Sequence, residues 1–249
     1  MSGIATVLIL PKEPSSAEQP NQLFDRSQVL DQLRPPAHAP EFSRVFAART
    51  CMMAGVGLTG VFLWYLVRFW VYGKAVVLTS APLTIPAGFL IAGMAVATLI
   101  GAALASWAAG PISERIEEKN IPVARVVAGA CLLYAIGLGL AWGLGVWSTG
   151  TARENGMLLF ALISGFAFGI YDSLGLELVM DSLPDPRRAG HDLGIYALAN
   201  SAGLALAAII GALLVNAFEH SFGYYLLFPS AIVMVLLAGI VTLTTKSAE

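Results

Sequence analysis

The chain has 249 residues, 57% of them hydrophobic and only 12% charged, whereas soluble domains carry about 25% charged residues. A formal net charge of -2 offers no basic surface for nucleic acid. The mean hydropathy of +0.75 excludes an ordinary soluble domain, and 249 residues suffice for one helical bundle.

Residues 1–44 differ in kind from the rest of the chain. Met1–Leu10 is apolar but too short to span a bilayer. It also lacks the positive start and small-residue cleavage site of a signal peptide. Pro11, Pro14, Pro20, Pro35, Pro36 and Pro40 then punctuate a polar stretch that reads as a solvated linker. Within it, Leu23, Phe24, Val29, Leu30 and Leu33 suit a short amphipathic helix. A chain that opens on the tail of an apolar helix and a linker reads as cut, its first half missing.

From residue 45 to the end, six apolar stretches alternate with short charged loops. About 20 apolar residues are needed to cross the hydrocarbon core as a helix, and only helices or closed barrels satisfy their backbone there. The predicted spans are Val45–Phe69, Ala87–Ala109, Val123–Trp147, Met157–Met180, Leu193–Phe218 and Tyr224–Thr244. Pro82, Pro86, Pro111, Pro122, Pro184 and Pro186 fall between spans, and Pro229 falls near the start of the last. The expected organisation is a truncated helix and linker over 1–44, then a six-helix bundle over 45–249. The fold class is all-α membrane protein.

Lysine and arginine concentrate in cytoplasmic loops. Lys12, Arg26, Arg34 and Arg44 precede the first span; Arg115, Lys119 and Arg125 follow the second; Arg187 and Arg188 follow the fourth; Lys246 closes the chain. The other side holds Lys74 and Arg153. Both termini are therefore expected in the cytoplasm, in a multi-pass protein of the cell membrane. Arg49 and Arg68 lie near opposite ends of the first span, where long side chains snorkel outward. A carboxylate or a substrate anion is the other partner open to Arg49.

Charges at membrane depth are costly and usually face a cavity. Tyr171, Asp172 and Glu177 lie in the fourth span, with Asp172 about two turns from the following loop and five residues from Glu177. Asp172 is the leading contact for a coupling ion or solute. Burial disfavours the charged form of a carboxyl, which would suit a proton-coupled step. Asn200 and Ser201 in the fifth span are polar enough to bond a solute or another helix. Trp64, Tyr65, Trp70 and Tyr72 suit an aromatic belt. Gly93, Ala97, Gly101 and Ala105 recur every four residues, and Gly165 and Gly169 form G-x-x-x-G, patterns that let helices approach closely. Cys51 and Cys131 lie in apolar runs and read as small packing residues.

The chain has no H-E-x-x-H, no G-x-S-x-G, no phosphate-binding glycine loop and no paired histidine or cysteine ligands. No cofactor, metal site or enzymatic activity is expected.

Two loops narrow the reading. After the second span runs Gly110-Pro111-Ile112-Ser113-Glu114-Arg115-Ile116-Glu117-Glu118-Lys119, and after the fourth Leu183-Pro184-Asp185-Pro186-Arg187-Arg188-Ala189-Gly190-His191-Asp192-Leu193-Gly194. The first resembles the loop motif of the major facilitator superfamily, with Glu114 where aspartate is usual and Glu117 and Glu118 replacing the usual glycine and first base. The second is similar to the LP…R-A-G-x-D-L-G loop of bacterial members near the sugar–cation symporter branch. The resemblance implies the carboxy-terminal half of a twelve-helix permease, built as two inverted three-helix repeats over Val45–Trp147 and Met157–Thr244. It also implies gating-loop roles for Glu114, Arg115, Arg188 and Asp192. The expected function is secondary transport of a small solute, a sugar in cation symport being the form this branch favours. The expected partners are that solute, the lipid bilayer, and a separately encoded amino-terminal half or a second copy. The alternative reading is a non-transporting six-helix membrane protein, or a truncated gene product, that acts only as an assembly partner.

Overall fold

Every described residue outside the connections is helical, as backbone satisfaction in hydrocarbon demands. The computed structural model describes residues 40–72, 84–147, 151–183, 189–217 and 220–245. The readings of residues 1–39 and of Arg187 and Arg188 therefore lie outside the described residues. Six long helices follow one another: α1 Pro40–Gly60, α2 Thr84–Lys119, α3 Val123–Trp147, α4 Thr151–Asp181, α5 Ala189–Ala217 and α6 His220–Leu243. Five of them, α2 to α6, are long and apolar enough to cross a membrane.

The first apolar stretch is not one continuous helix. After α1 the chain turns at Val61–Phe62, resumes as a three-residue helical piece, Leu63–Tyr65, and ends in a π-helical turn over Leu66–Val71. The backbone stays paired throughout: Val61 N–H donates to the Gly57 carbonyl at 2.9 Å, Leu66 to Phe62 at 2.8 Å and Tyr72 to Val67 at 3.3 Å. The reason for the wide turn lies in its packing. Trp70, expected in an interfacial belt, is instead buried, edge-on to Tyr225 with ring centroids 4.1 Å apart and 5.5 Å from Phe228. Gly145 leaves the room its indole occupies. Arg153, in the first turn of α4, donates to the Trp70 carbonyl at 3.0 Å. Trp64 and Tyr65 stay exposed, as belt residues do.

The segment 110–119, read as a loop, continues α2 to Lys119 with Pro111 inside it. Local propensity explains this. Glu114, Arg115, Glu117, Glu118 and Lys119 are strong helix formers, and Ile116 buries itself one turn from Ile112. The helix then stops sharply. Asn120 takes a positive φ of 50°, its N–H donates to Glu117 at 3.2 Å, and Ile121 N–H donates back to Ile116 at 3.0 Å. That is the paired C-terminal cap of a left-handed stop residue. Pro122 follows and α3 begins at once.

The bundle is assembled by small residues. On α2 and α4, Gly101 faces the Leu162 carbonyl and the Gly165 backbone, Gly165 faces Thr98, and Gly169 faces Ala105. On α1 and α5, Gly203 faces Thr50 and Met53 and Gly57 faces Ala207, while Gly211 of α5 faces Phe62 in the turn after α1. Lipid is as apolar as leucine, so close backbone approach rather than hydrophobic exclusion holds such helices together. The main helix pairs are α2 with α4, α3 with α4, α1 with α5, α1 with α6 and α3 with α6.

Candidate functional site

Arg49 is the centre of the site, and it does not snorkel. It sits on α1 at 8% exposure, held from two other helices. Its Nη1 meets Asp172 Oδ1 of α4 at 2.7 Å, and its Nε donates to Asn200 Oδ1 of α5 at 2.7 Å. Three rings surround its guanidinium: Phe168 at 5.7 Å, Tyr171 at 5.6 Å and Tyr196 at 5.7 Å. Spacing explains the convergence. Phe168, Tyr171 and Asp172 stand at i, i+3 and i+4 on α4, and Tyr196 and Asn200 at i and i+4 on α5, so each set shares one helix face. A buried guanidinium is costly unless paired and hydrogen-bonded; here one carboxylate, one amide and three ring faces compensate it.

Four of the five residues singled out for solute or cation contact, Arg49, Tyr171, Asp172 and Asn200, thus form one cluster. Glu177 does not join them; it is exposed further along α4. The expected burial of Asp172 is also corrected. Its side chain is 56% exposed, because α4 turns this position toward an open groove. Sequence reasoning missed Phe168 and Tyr196, whose rings look like ordinary apolar filling in a membrane helix.

The groove beside Asp172 has a volume of about 340 Å³ and lies between α1, α2, α3 and α4. Thr98 and Ser106 of α2, Tyr134 of α3, and Ser164 and Ser173 of α4 contribute its other polar groups. A legible signal for Ser173 existed: it extends the Gly165, Gly169 pattern by one more step of four. Of the gating-loop residues, Glu114 and Arg115 are exposed on the extension of α2. Asp192 is buried in the first turn of α5, where a carboxylate complements the helix N-terminus. Cys131 is buried and Cys51 half-buried, both free thiols. Among the described residues no cluster of histidine, cysteine, aspartate or glutamate is placed to hold a metal ion.

Five helices long and apolar enough to cross a membrane, packed into one bundle, define the class as a multi-pass helical membrane protein. The family profile of the Major Facilitator Superfamily matches residues 94–249, well over half the chain, and the chain belongs to that superfamily. Its members are multi-pass transporters of small solutes. No curated protein and no solved structure matches the chain.

Proposed function

We propose that this chain is the carboxy-terminal six-helix bundle of a secondary transporter, and that its solute binds in the groove beside Asp172. The observation that carries the reading is the Arg49–Asp172 pair at the groove wall. Asp172 is the residue through which a cation or solute acts, with Arg49, Tyr171 and Asn200 fixing its position. The resemblance of the 183–194 loop favours a sugar-class solute in symport with a cation. α1 and the broken stretch after it make the sixth crossing, and both termini lie in the cytoplasm.

Packing supports the inverted-repeat arrangement. Exchanging α1 with α4, α2 with α5 and α3 with α6 turns the α2–α4 pair into α5–α1 and the α3–α4 pair into α6–α1, both of which occur. The small-residue seams of α2–α4 and α1–α5 obey the same exchange. Because a facilitator holds its solute between two bundles near mid-membrane, a second bundle completes the site: a separately encoded amino-terminal half or a second copy. Glu114, Arg115, Arg188 and Asp192 gate the cytoplasmic side.

Water access tests the groove. With Cys51 and Cys131 replaced by serine, Ser173→Cys is expected to react with a water-soluble maleimide in membrane vesicles, and the adduct to block gradient-driven uptake. A Ser173→Cys side chain inert to the reagent would mean that the groove is sealed or lipid-filled.

A further inference from the structure

We infer that the groove beside Asp172 selects a solute bearing a protonated amine among hydroxyl groups, an amino sugar or amino alcohol, over its neutral counterpart. The inference rests on the reading of this groove as the solute site and names the substrate class.

The lining has a one-sided hydrogen-bonding character. None of its side chains carries an N–H group. Its hydroxyl protons are committed to their own helices: Thr98 donates to the Met94 carbonyl at 2.9 Å, Ser106 to Ala102 at 3.1 Å, Ser164 to Ala161 at 3.1 Å and Ser173 to Gly169 at 2.8 Å. Tyr134, buried at the back of the groove, lies in contact with Thr59, whose own proton goes to the Val56 carbonyl. A hydroxyl that has donated keeps its lone pairs, while helical backbone N–H groups are spent inside the helix. The groove's serine and threonine hydroxyls therefore offer acceptors and withhold donors.

Charge points the same way. Arg49 takes Oδ1 of Asp172 and is anchored by Asn200 and three rings, which leaves the second carboxylate oxygen for a ligand. An ammonium brings three donors and no acceptor, and its bond to the free oxygen of Asp172 is charge-assisted, though weakened by the Arg49 cation that shares the carboxylate. An amino sugar differs from its neutral counterpart by one hydroxyl exchanged for an ammonium, which removes one acceptor and adds donors that this wall can take. A groove of about 340 Å³ lies within the range of about 300–1,000 Å³ usual for small-molecule sites.

The test is binding of glucosamine, glucose and N-acetylglucosamine to the purified two-bundle assembly at neutral pH, read by calorimetry. Glucosamine is expected to bind on the order of tenfold more tightly than either neutral sugar, the effect of one charge-assisted bond. That preference should vanish in Asp172→Asn. Equal binding of glucose and glucosamine, a preference that survives Asp172→Asn, or no binding of any of the three overturns the inference. The wild-type comparison needs no variant, so a misfolded mutant does not rescue it. Ser106→Trp, which fills the groove, separates the two levels. Neutral and amino sugars bound equally by the wild type and both lost in Ser106→Trp remove the amine selectivity and keep the groove. Binding that persists in Ser106→Trp removes the groove as the solute site as well.

Discussion

At the scale of single residues, Arg49 makes the strongest demand on the fold. A guanidinium in a membrane bundle is tolerated only because Asp172 and Asn200 reach it from α4 and α5. Removing a partner from a fully buried pair costs about 3–5 kcal/mol, whereas replacing both charges by apolar groups is often neutral. Asp172 is more than half exposed, so Asp172→Ala is expected to cost less, about 2 kcal/mol. The double replacement Arg49→Met with Asp172→Leu should recover most of that loss. Thermal melting in detergent checks both; a double variant less stable than either single one would contradict the pairing. The intramembrane polar residues were legible in the sequence because hydrocarbon makes them rare. Their companions were not. Sequence gives the depth of Arg49 but not what packs against it, so outward snorkelling and an inward pair read alike.

At the scale of helices, close approach replaces hydrophobic exclusion. A Cβ on Gly165 would press on the Thr98 backbone, which has little room to yield, whereas none of the described atoms lies within 4 Å of one on Gly175. Gly165→Ala is therefore expected to destabilise by about 1–3 kcal/mol, and Gly175→Ala to be neutral or stabilising by up to ~1 kcal/mol. Equal effects at the two positions, measured by the same melting assay, would refute the seam. The repeat of four in α2 and α4 made this seam readable from sequence. Helix ends were less readable. An apolar stretch reports where hydrocarbon is crossed, not where the helix stops: α2 runs on through Pro111 until Asn120 caps it. The π-helical turn after α1 was also hidden, because it answers to Tyr225, Phe228 and Gly145, residues distant in the chain.

At the scale of the whole molecule, the hydropathy pattern carried the fold class and the loops at 110–119 and 183–194 the superfamily, while the proposed orientation rests on charge. Reporters inserted within 74–84 and within 181–191 are expected on opposite sides of the membrane, since ten of the basic residues cluster on one side. Reporters on the same side would rule out six crossings. The central claim is that the bundle serves transport and that Asp172 carries it, not merely that Asp172 pairs with Arg49. The most direct measurement is ion-gradient-driven uptake of labelled sugars by proteoliposomes holding the full two-bundle assembly, wild type against Asp172→Asn. The neutral amide keeps the shape of the side chain and removes its charge. Uptake is expected to fall by at least about tenfold and to lose its dependence on the gradient. Uptake that keeps both its rate and its gradient dependence in Asp172→Asn would contradict the claim and leave the pair a purely structural clasp.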